Sequence, residues 1–245
     1  MARAVALGVA VLLAALPGQA QEFSDAPTQS PRGGSVEFRL GSYRPQLDSE
    51  EALGGKTPFA DVFGGGGWLL FELEVQRFFY QGIGSAGLSL SAGYAEKFGH
   101  ALLEDGKPSV EAQGFHVVPL HLRAVYRFDY PAFQWGFPLI PYIKPGLVFI
   151  PWWTTKGGKI ETVPASEGMA ARKGSGGKLG WEVAAGVSFM LDVLEPRFAR
   201  DFDSDLGINH SYVFAEYTYS KVNNFGGPGF NFSDSYWMFG LALDY

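Results

Sequence analysis

The chain has 245 residues, a formal net charge of −6 and no cysteine. The acidic balance argues against a nucleic-acid partner, and the lack of cysteine excludes both a lipid-anchored lipoprotein and a disulfide-stapled secreted domain. The 33 glycines, 21 phenylalanines and 11 tyrosines favour strands and tight corners over helices.

The first twenty residues have the organisation of a secretory signal peptide. MAR is followed by the apolar run AVALGVAVLLAAL and then by PGQA, which has small residues at the positions of a cleavage site. The apolar run is too short to span a membrane as a helix and is ended by Pro17. We therefore expect a signal peptide over 1–20, a short disordered segment over 21–33 and one domain over 34–245, exported through the general secretory pathway.

Eight segments of the remaining chain alternate between apolar and polar residues with a period of two, which predicts strands with unlike faces. In the third and clearest segment, Leu88 and Leu90 oppose Ser89 and Ser91. The last segment, SYWMFGLALDY, runs to the final residue with Trp237 and Tyr245 on its apolar face. The approximate ranges are 35–44, 68–80, 83–96, 115–128, 139–152, 180–191, 213–220 and 235–245.

The connections between these segments are alternately long and short, apart from the sixth. This favours an antiparallel meander with short turns at one end and long loops at the other. The alternative, a β-sandwich, has no reason to sort its loops in this way. The predicted fold class is all-β: an eight-stranded antiparallel up-and-down transmembrane β-barrel. In hydrocarbon all backbone polar groups must be paired, so the last strand is expected to pair with the first and to hold Tyr245.

Aromatic residues at the segment ends are expected to form two girdles at the membrane interfaces. The expected girdle residues are Tyr43, Trp68, Phe79, Tyr80, Tyr94, Tyr126, Tyr130, Trp152, Trp153 and Tyr245.

The faces opposite the apolar ones carry charges of both signs. An eight-stranded barrel is only wide enough for side chains to fill it, and unpaired buried charges are costly. We therefore predict an ion-pair network that plugs the lumen, with a narrow channel as the alternative. The predicted members are Glu37, Arg39, Glu72, Glu74, Arg123, Arg127, Lys144, Glu182 and Glu216.

Three prolines in the fifth segment suggest a weak seam in the barrel. Pro141, Pro145 and Pro151 lack a ladder donor and share one parity, so their missing N–H groups would face the same neighbouring strand. A lateral opening for a lipid or a small apolar molecule is one hypothesis, and prolines at bulges or beyond the membrane are the other.

Signals for catalysis, metals and cofactors are weak. His210 and Ser211 are adjacent in a strand and should point to opposite faces. His100 and His116 lack ligand spacing for a metal. We expect no metal, no cofactor and no enzymatic activity, with a lipid-modifying outer-membrane enzyme as a third alternative.

The third long loop has a basic tip that could contact lipopolysaccharide phosphates, although solvated charge is a simpler explanation. Its charged residues are Lys156, Lys159, Arg172, Lys173 and Lys178 against Glu161 and Glu167.

The C-terminal residues Gly240, Leu243 and Tyr245 resemble the assembly signal of bacterial outer-membrane barrels. The stretch LEPRFARDFDSDLGINHSYVFAEYTYSKVNNFG, residues 194–226, resembles a myxobacterial family of predicted outer-membrane β-barrel proteins of unknown function. The resemblance implies a barrel in the outer membrane of a Gram-negative bacterium, inserted by the barrel assembly machinery. Its implied partners are outer-membrane lipids and lipopolysaccharide, and it indicates no protein partner or activity. A structural or surface-binding role is therefore expected.

Overall fold

The computed structural model describes residues 32–50, 53–102, 108–163, 172–194 and 206–245. The predicted signal peptide over 1–20 and the predicted segment over 21–33, apart from its last two residues, lie outside these ranges. Within the described ranges, no helix is both long enough and apolar enough to cross a membrane.

The described residues form strands with a few short helices. The strands are β1 (Gly34–Tyr43), β2 (Trp68–Gly82), β3 (Gly84–Leu102), β4 (Pro108–Val117), β5 (Leu120–Arg127), β6 (Leu139–Lys156), β7 (Lys159–Ile160), β8 (Thr162–Val163), β9 (Arg172–Lys173), β10 (Ser175–Met190), β11 (His210–Lys221) and β12 (Asp234–Asp244). The helices are α1 (Pro58–Phe63), α2 (Tyr130–Trp135) and a 3-10 turn at Leu191–Val193.

The long strands close into a ring in which each pairs antiparallel with its neighbours in the chain. Strands β4 and β5 occupy one position of the ring, between β3 and β6, and are separated at Pro119, which has no N–H to donate. Counting them once, the ring has eight strands in the order β1, β2, β3, β4/β5, β6, β10, β11 and β12. The predicted eight-stranded antiparallel up-and-down barrel is confirmed.

The ring is closed by β1 and β12, which pair from Ser35 with Asp244 to Gly41 with Met238. Beyond this ladder, the N–H of Tyr245 donates to the carbonyl of Gly34 at 3.0 Å. The last residue is thus held by the first strand, as the need to pair every backbone group requires.

The two ends of the barrel differ. The end with the β2–β3 turn and the β5–β6 and β10–β11 connections is called the turn end, and the opposite end is called the loop end. At the β2–β3 turn, Gly84 has a φ of +113°, and a Cβ there would lie 2.6 Å from the carbonyl oxygen of Arg127. Only glycine fits this position without strain.

The connection predicted between the third and fourth segments, residues 97–114, was too long. Strand β3 extends to Leu102 and β4 begins at Pro108, so most of that stretch is a hairpin that continues the sheet. Past the apolar belt, side chains need not alternate in polarity, but the backbone ladder can continue because its hydrogen bonds do not depend on side-chain type.

A belt of exposed apolar side chains surrounds the outside of the barrel, while polar residues alternate with them and point inward. This distribution is the reverse of a water-soluble barrel and matches a surface covered by acyl chains. The belt includes Phe38, Leu40, Phe71, Leu88, Leu90, Leu120, Leu122, Ile143, Leu147, Phe149, Trp181, Val187, Val213, Tyr217, Trp237, Phe239 and Leu241.

Three of the expected girdle residues lie inside the barrel instead. Tyr43 and Trp68 are buried, and Trp152 packs against them in an aromatic cluster at the loop end. Each has the parity of the inward-facing residues of its strand, so the pleat directs it to the lumen. By contrast, Tyr126 and Tyr245 are on the outer surface.

The exposed belt can be tested by placing a charge in it. We expect Leu90→Arg, in the belt, to lower the free energy of unfolding by about 2 kcal/mol or more, since hydrocarbon solvates a charge poorly. Urea titration in phospholipid vesicles, followed by tryptophan fluorescence, measures this change. The matched control is Val110→Arg, at an exposed position of β4 beyond the belt. Equal losses of unfolding free energy at the two positions would contradict a lipid-facing belt.

Candidate functional site

The middle of the lumen is built around the side chain of Arg39. Its guanidinium lies 2.9 Å from Glu37, 3.3 Å from Glu72 and 2.7 Å from Glu74, and it also contacts Glu216. All five side chains are buried. A planar group with five donors suits this position because several carboxylates on different strands can share it.

A second cation extends the network toward β10. Arg123 lies 2.6 Å from both Glu182 and Glu74, and 3.7 Å from Glu72. His121, on the same face of β5, bridges two of these carboxylates: Nδ1 is 2.7 Å from Glu182 and Nε2 is 3.2 Å from Glu72.

Lys144 of β6 completes the set. Its ammonium group lies 2.8 Å from Glu37, 2.9 Å from Glu74 and 3.6 Å from Glu216. Gln76 adds amide hydrogen bonds to Glu37 and Glu74. Side chains from strands on opposite sides of the ring are therefore tied together across the axis.

Carboxylates outnumber the basic side chains of this network. Five carboxylates face Arg39, Arg123 and Lys144. His121 is in contact with two of the carboxylates. Because a buried charge without a partner is costly, each of the three basic side chains is shared among several acids.

Arg127, which was predicted to join the network, instead makes a separate pair nearer the turn end. Its guanidinium is 2.9 Å from the carboxylate of Asp244. Tyr212 also donates to Asp244, at 3.0 Å. A role for Asp244 was not predicted from the sequence, although Asp244 has the inward parity of its strand. Its contact with Arg127 of β5 depends on the closure of the ring.

Apolar layers lie on both sides of the charged network. At the loop end, Phe115 stacks on Trp152 with ring centroids 5.7 Å apart, and Tyr43 donates to the carbonyl of Phe232. At the turn end, Tyr142 and Phe214 pack edge to face. Side chains thus occupy the lumen at three successive levels.

The three prolines of β6 face the β4/β5 side. The carbonyl of Pro141 accepts from the N–H of Phe128 at 2.9 Å, and that of Pro151 accepts from Val118 at 3.0 Å. Because the N–H and C=O of a strand residue point to the same side, the missing proline donors face β4 and β5.

The β5–β6 ladder is interrupted at the middle proline. Pairing runs as far as Arg123 with Gly146, stops at Pro145, and resumes at Tyr126 with Ile143. On its other side β6 pairs with β10 from Leu139 to Trp153 without a break. The structure therefore has one continuous seam and one interrupted seam along the same strand.

The residues that resemble an assembly signal lie in the closing strand. Gly240 pairs with Arg39 and Phe214, and a Cβ there would lie 2.0 Å from the carbonyl of Phe38. Leu243 and Tyr245 have the outward parity of β12.

The histidine and serine at the start of β11 both contact the 3-10 turn. His210 Nδ1 lies 2.5 Å from Asp192, and the backbone N–H of Ser211 donates to the same carboxylate at 3.1 Å. This arrangement holds the strand start to the connection before it. The described part of the chain contains no group of three or more metal-ligating side chains.

The basic loop tip is smaller than the sequence suggested. Lys178 is buried and donates to the carbonyl of Pro228 at 2.6 Å, and Lys156 lies 3.2 Å from Glu111. Glu167 and the side chain of Arg172 lie outside the described residues. Lys159 and Lys173 remain exposed.

An open cleft of about 550 Å³ lies at the loop end, between the β1–β2 connection and the start of β12. It has both charged and aromatic walls, including Arg44, Asp48, Phe59, Trp68 and Asp234. Asp48 accepts the N–H groups of Phe59 and Ala60, which anchors α1 as one wall.

A closed eight-stranded ring, an apolar belt and a charged lumen occupied by side chains define a transmembrane β-barrel. Among solved structures, the chain is similar to Ail of Yersinia pestis in complex with sucrose octasulfate (14% identity, TM-score 0.45, covering 87% of this chain and 99% of that one). It is also similar to Neisserial surface protein A (13%, TM-score 0.41, 86% and 96%) and to the outer membrane protease OmpT of Escherichia coli (10%, TM-score 0.34, 87% and 94%).

No protein-family model and no curated protein matches the sequence. The fold assignment rests on the geometry of the ring itself.

Removing the central cation should strongly destabilise the barrel. We expect Arg39→Met to lower the free energy of unfolding by about 3–5 kcal/mol, because it leaves four carboxylates buried with too few cations. Arg39→Met combined with Glu216→Gln should lose less than the sum of the single changes. Urea titration in vesicles measures all three variants.

The control for this series is Arg44→Met, at an exposed position of the loop end. If Arg39→Met and Arg44→Met differ by less than about 0.5 kcal/mol, as for ordinary surface substitutions, then the central network does not stabilise the fold.

Proposed function

We propose that the protein is a non-enzymatic outer-membrane barrel of a Gram-negative bacterium that acts through its loop end, with the lumen serving as a structural plug. The observation that supports this proposal is the filling of the lumen by side chains at three levels, with Arg39 at the centre of the middle level. Because ion pairs connect the lumen side chains across the axis, the protein would act through contacts made by its outer surface and its loops.

The plug also gives the barrel rigidity. Most members of the network contact partners on two or more other strands, so opening a path along the axis would break several charge-assisted hydrogen bonds together. Each broken bond would leave a charge buried without its partner, which is costly.

The loop end offers the surface for binding. Its cleft has aromatic walls and charges of both signs, with Arg44 near Asp48 and Asp234. Exposed Lys159 and Lys173 lie at the same end. We propose that this end faces the cell exterior and meets lipopolysaccharide or other surface molecules, because phosphate groups are attracted to exposed cations.

We further propose the processing and assembly route that the sequence indicates. Residues 1–20 would be removed as a signal peptide after export, residues 21–33 would form a short disordered segment, and residues 34–245 would form the barrel. The closing strand, with Gly240, Leu243 and Tyr245, would be recognised by the barrel assembly machinery. Membership of the myxobacterial family that the stretch over 194–226 resembles belongs to this same proposal.

A second candidate function is lateral passage of a lipid or small apolar molecule. The interrupted β5–β6 ladder at Pro145 favours it, because fewer hydrogen bonds must break to part these strands than to part β6 from β10. The narrow channel along the axis has no comparable observation in its favour.

The plug predicts an absence of conductance. Purified protein in planar lipid bilayers should give no stable, reproducible current steps, whereas a general porin reconstituted in the same way conducts. Glu74→Ser with Arg123→Ser, which removes two facing members of the plug, should introduce a flickering leak. Large, stable steps from the unaltered protein would overturn the plug.

The seam predicts uneven hydrogen exchange. Peptides covering 120–127 should exchange faster than peptides covering 181–189, because the latter pair with β6 without interruption. Pro145→Val restores a donor and should slow exchange over 120–127, while Ile143→Val changes the same strand without adding one. Equal protection of both segments in the unaltered protein would argue against a gate.

A further inference from the structure

Four polar side chains meet on the outer wall of the barrel, just beyond the apolar belt on its loop-end side. Tyr94 and Glu96 come from β3, His116 from β4 and Thr155 from β6. Glu96 pairs directly with His116 in the sheet, and Gly114 pairs directly with Thr155. Only the extension of the β3–β4 hairpin beyond the belt brings these residues side by side.

The four side chains form a chain of hydrogen bonds with the imidazole at its centre. His116 Nε2 lies 3.1 Å from Thr155 Oγ1, and His116 Nδ1 lies 3.2 Å from Glu96 Oε2. The hydroxyl of Tyr94 lies 2.6 Å from the same Glu96 oxygen and 2.9 Å from His116 Nδ1.

The contacts fit the arrangement of protons that a general base requires. The hydroxyl of Tyr94 donates to the Glu96 carboxylate. With His116 Nδ1 as the donor toward the Tyr94 and Glu96 oxygens, Nε2 is the acceptor for the hydroxyl of Thr155.

Aromatic rings fix the orientation of the imidazole. Trp153 stacks on His116 with centroids 5.2 Å apart and planes 12° apart, and Phe98 meets it edge-on at 5.8 Å. The imidazole is largely buried against these rings. A base held in one orientation needs no reorganisation to accept a proton.

The absence of a side chain on Gly114 makes room for the hydroxyl and the base to meet. A Cβ on Gly114 would lie 2.6 Å from Thr155 Oγ1, 2.8 Å from His116 Nε2 and 3.0 Å from a ring carbon of Phe98. Any other residue at position 114 would therefore displace this pair. Thr155 itself is half-buried on the outer wall.

We propose that Thr155 and His116 form a nucleophile–base pair, positioned by Glu96 and Tyr94, that cleaves acyl esters of membrane lipids. The site lies where the apolar belt ends, so an acyl chain lying along the belt would place its ester group at this height. Esters are the groups that a hydroxyl–imidazole–carboxylate arrangement attacks. Phospholipids and lipid A both contain such esters.

The reaction balances with water as the second reactant. Thr155 Oγ attacks the ester carbonyl carbon while its proton passes to His116 Nε2. The C–O bond to the lipid alcohol then breaks, and the alcohol takes the proton from Nε2. Water, deprotonated by Nε2, attacks the acyl-threonine ester, releases the fatty acid and restores the Thr155 hydroxyl.

This inference takes up the third alternative of the sequence analysis, a lipid-modifying enzyme, and would replace the non-enzymatic part of the proposed function. It assigns chemistry to the outer wall alone and leaves the filled lumen and the loop-end surface as proposed. The plugged lumen would serve as the rigid support of the site. Its failure would leave the conductance test of the plug unaffected, so the two proposals can be judged separately.

The nucleophile can be tested by covalent labelling of the full-length protein in vesicles with a hexadecyl sulfonyl fluoride, mapped by mass spectrometry. We expect label on Thr155, and a loss of labelling rate of at least about 100-fold in both Thr155→Val and His116→Gln, as for removal of a nucleophile or its base. Thr155→Ser keeps the hydroxyl and should still be labelled. His100→Gln, on the same hairpin, should label at the rate of the unaltered protein.

The position of Gly114 offers an independent test. Gly114→Ala keeps all four polar side chains, but its Cβ would displace Thr155 Oγ1 and His116 Nε2 from each other. It should reduce labelling about 10-fold or more while the circular dichroism spectrum remains that of the folded barrel. Unchanged labelling in a folded Gly114→Ala would show that labelling does not depend on the contact between Thr155 and His116, and would overturn the site.

The substrate is tested with vesicles that contain either radiolabelled phosphatidylethanolamine or radiolabelled lipid A, with release of fatty acid as the readout. Release from one set identifies the source of the ester. Glu96→Gln should lower kcat about 10-fold with KM unchanged, and Glu96→Asp should recover part of it, as expected for a positioning residue. No label on Thr155, or no release from either vesicle, would overturn the proposal.

Discussion

The structure depends on one constraint: a strand that crosses hydrocarbon has to pair its backbone on both edges. A closed ring satisfies this constraint for each strand, and the β1–β12 ladder is the step that closes it. Once the ring is closed, the pleat has only two directions, outward to lipid and inward to the axis. The exposed apolar belt and the buried charges of the lumen are two consequences of the same geometry, and neither could exist with an open sheet.

The lumen shows how a barrel of this size uses its interior. Five carboxylates, two guanidiniums, an ammonium and an imidazole occupy the middle level, with Arg39 shared among four acids. Aromatic and aliphatic layers close both sides. Ion pairs contribute little on a solvated surface, but here strands surround them on all sides. Removing one partner would leave the other charged groups buried without a counter-charge. The open cleft and the Thr155–His116 pair both lie outside this filled interior.

Strand β6 contributes residues to the lumen network, to the interrupted ladder with β5 and to the polar cluster on the outer wall. Lys144 reaches into the network, Pro145 interrupts the ladder with β5, and Thr155 stands on the outer wall beyond the belt. The same strand thus pairs with β10 without a break and with β5 with one interruption. The lateral opening proposed above would fall at this interruption, beside the exposed side chains of Ile143 and Leu147.

The amino-acid sequence by itself determined the number of strands, their faces and the inward position of the charged residues of the lumen, because a period of two assigns every side chain to one of two directions. The prediction that Tyr43, Trp68 and Trp152 belong to the girdles was wrong, because it followed their position at segment ends and not their inward parity. Only the tertiary structure decided which charges meet: Arg39 with Glu216, and Arg127 with Asp244 rather than with the central network. The cluster of Glu96, His116 and Thr155 was equally hidden, since it depends on the register of three strands above the belt. Alternation is local and readable in one strand, whereas register is set by pairing between strands distant in the chain.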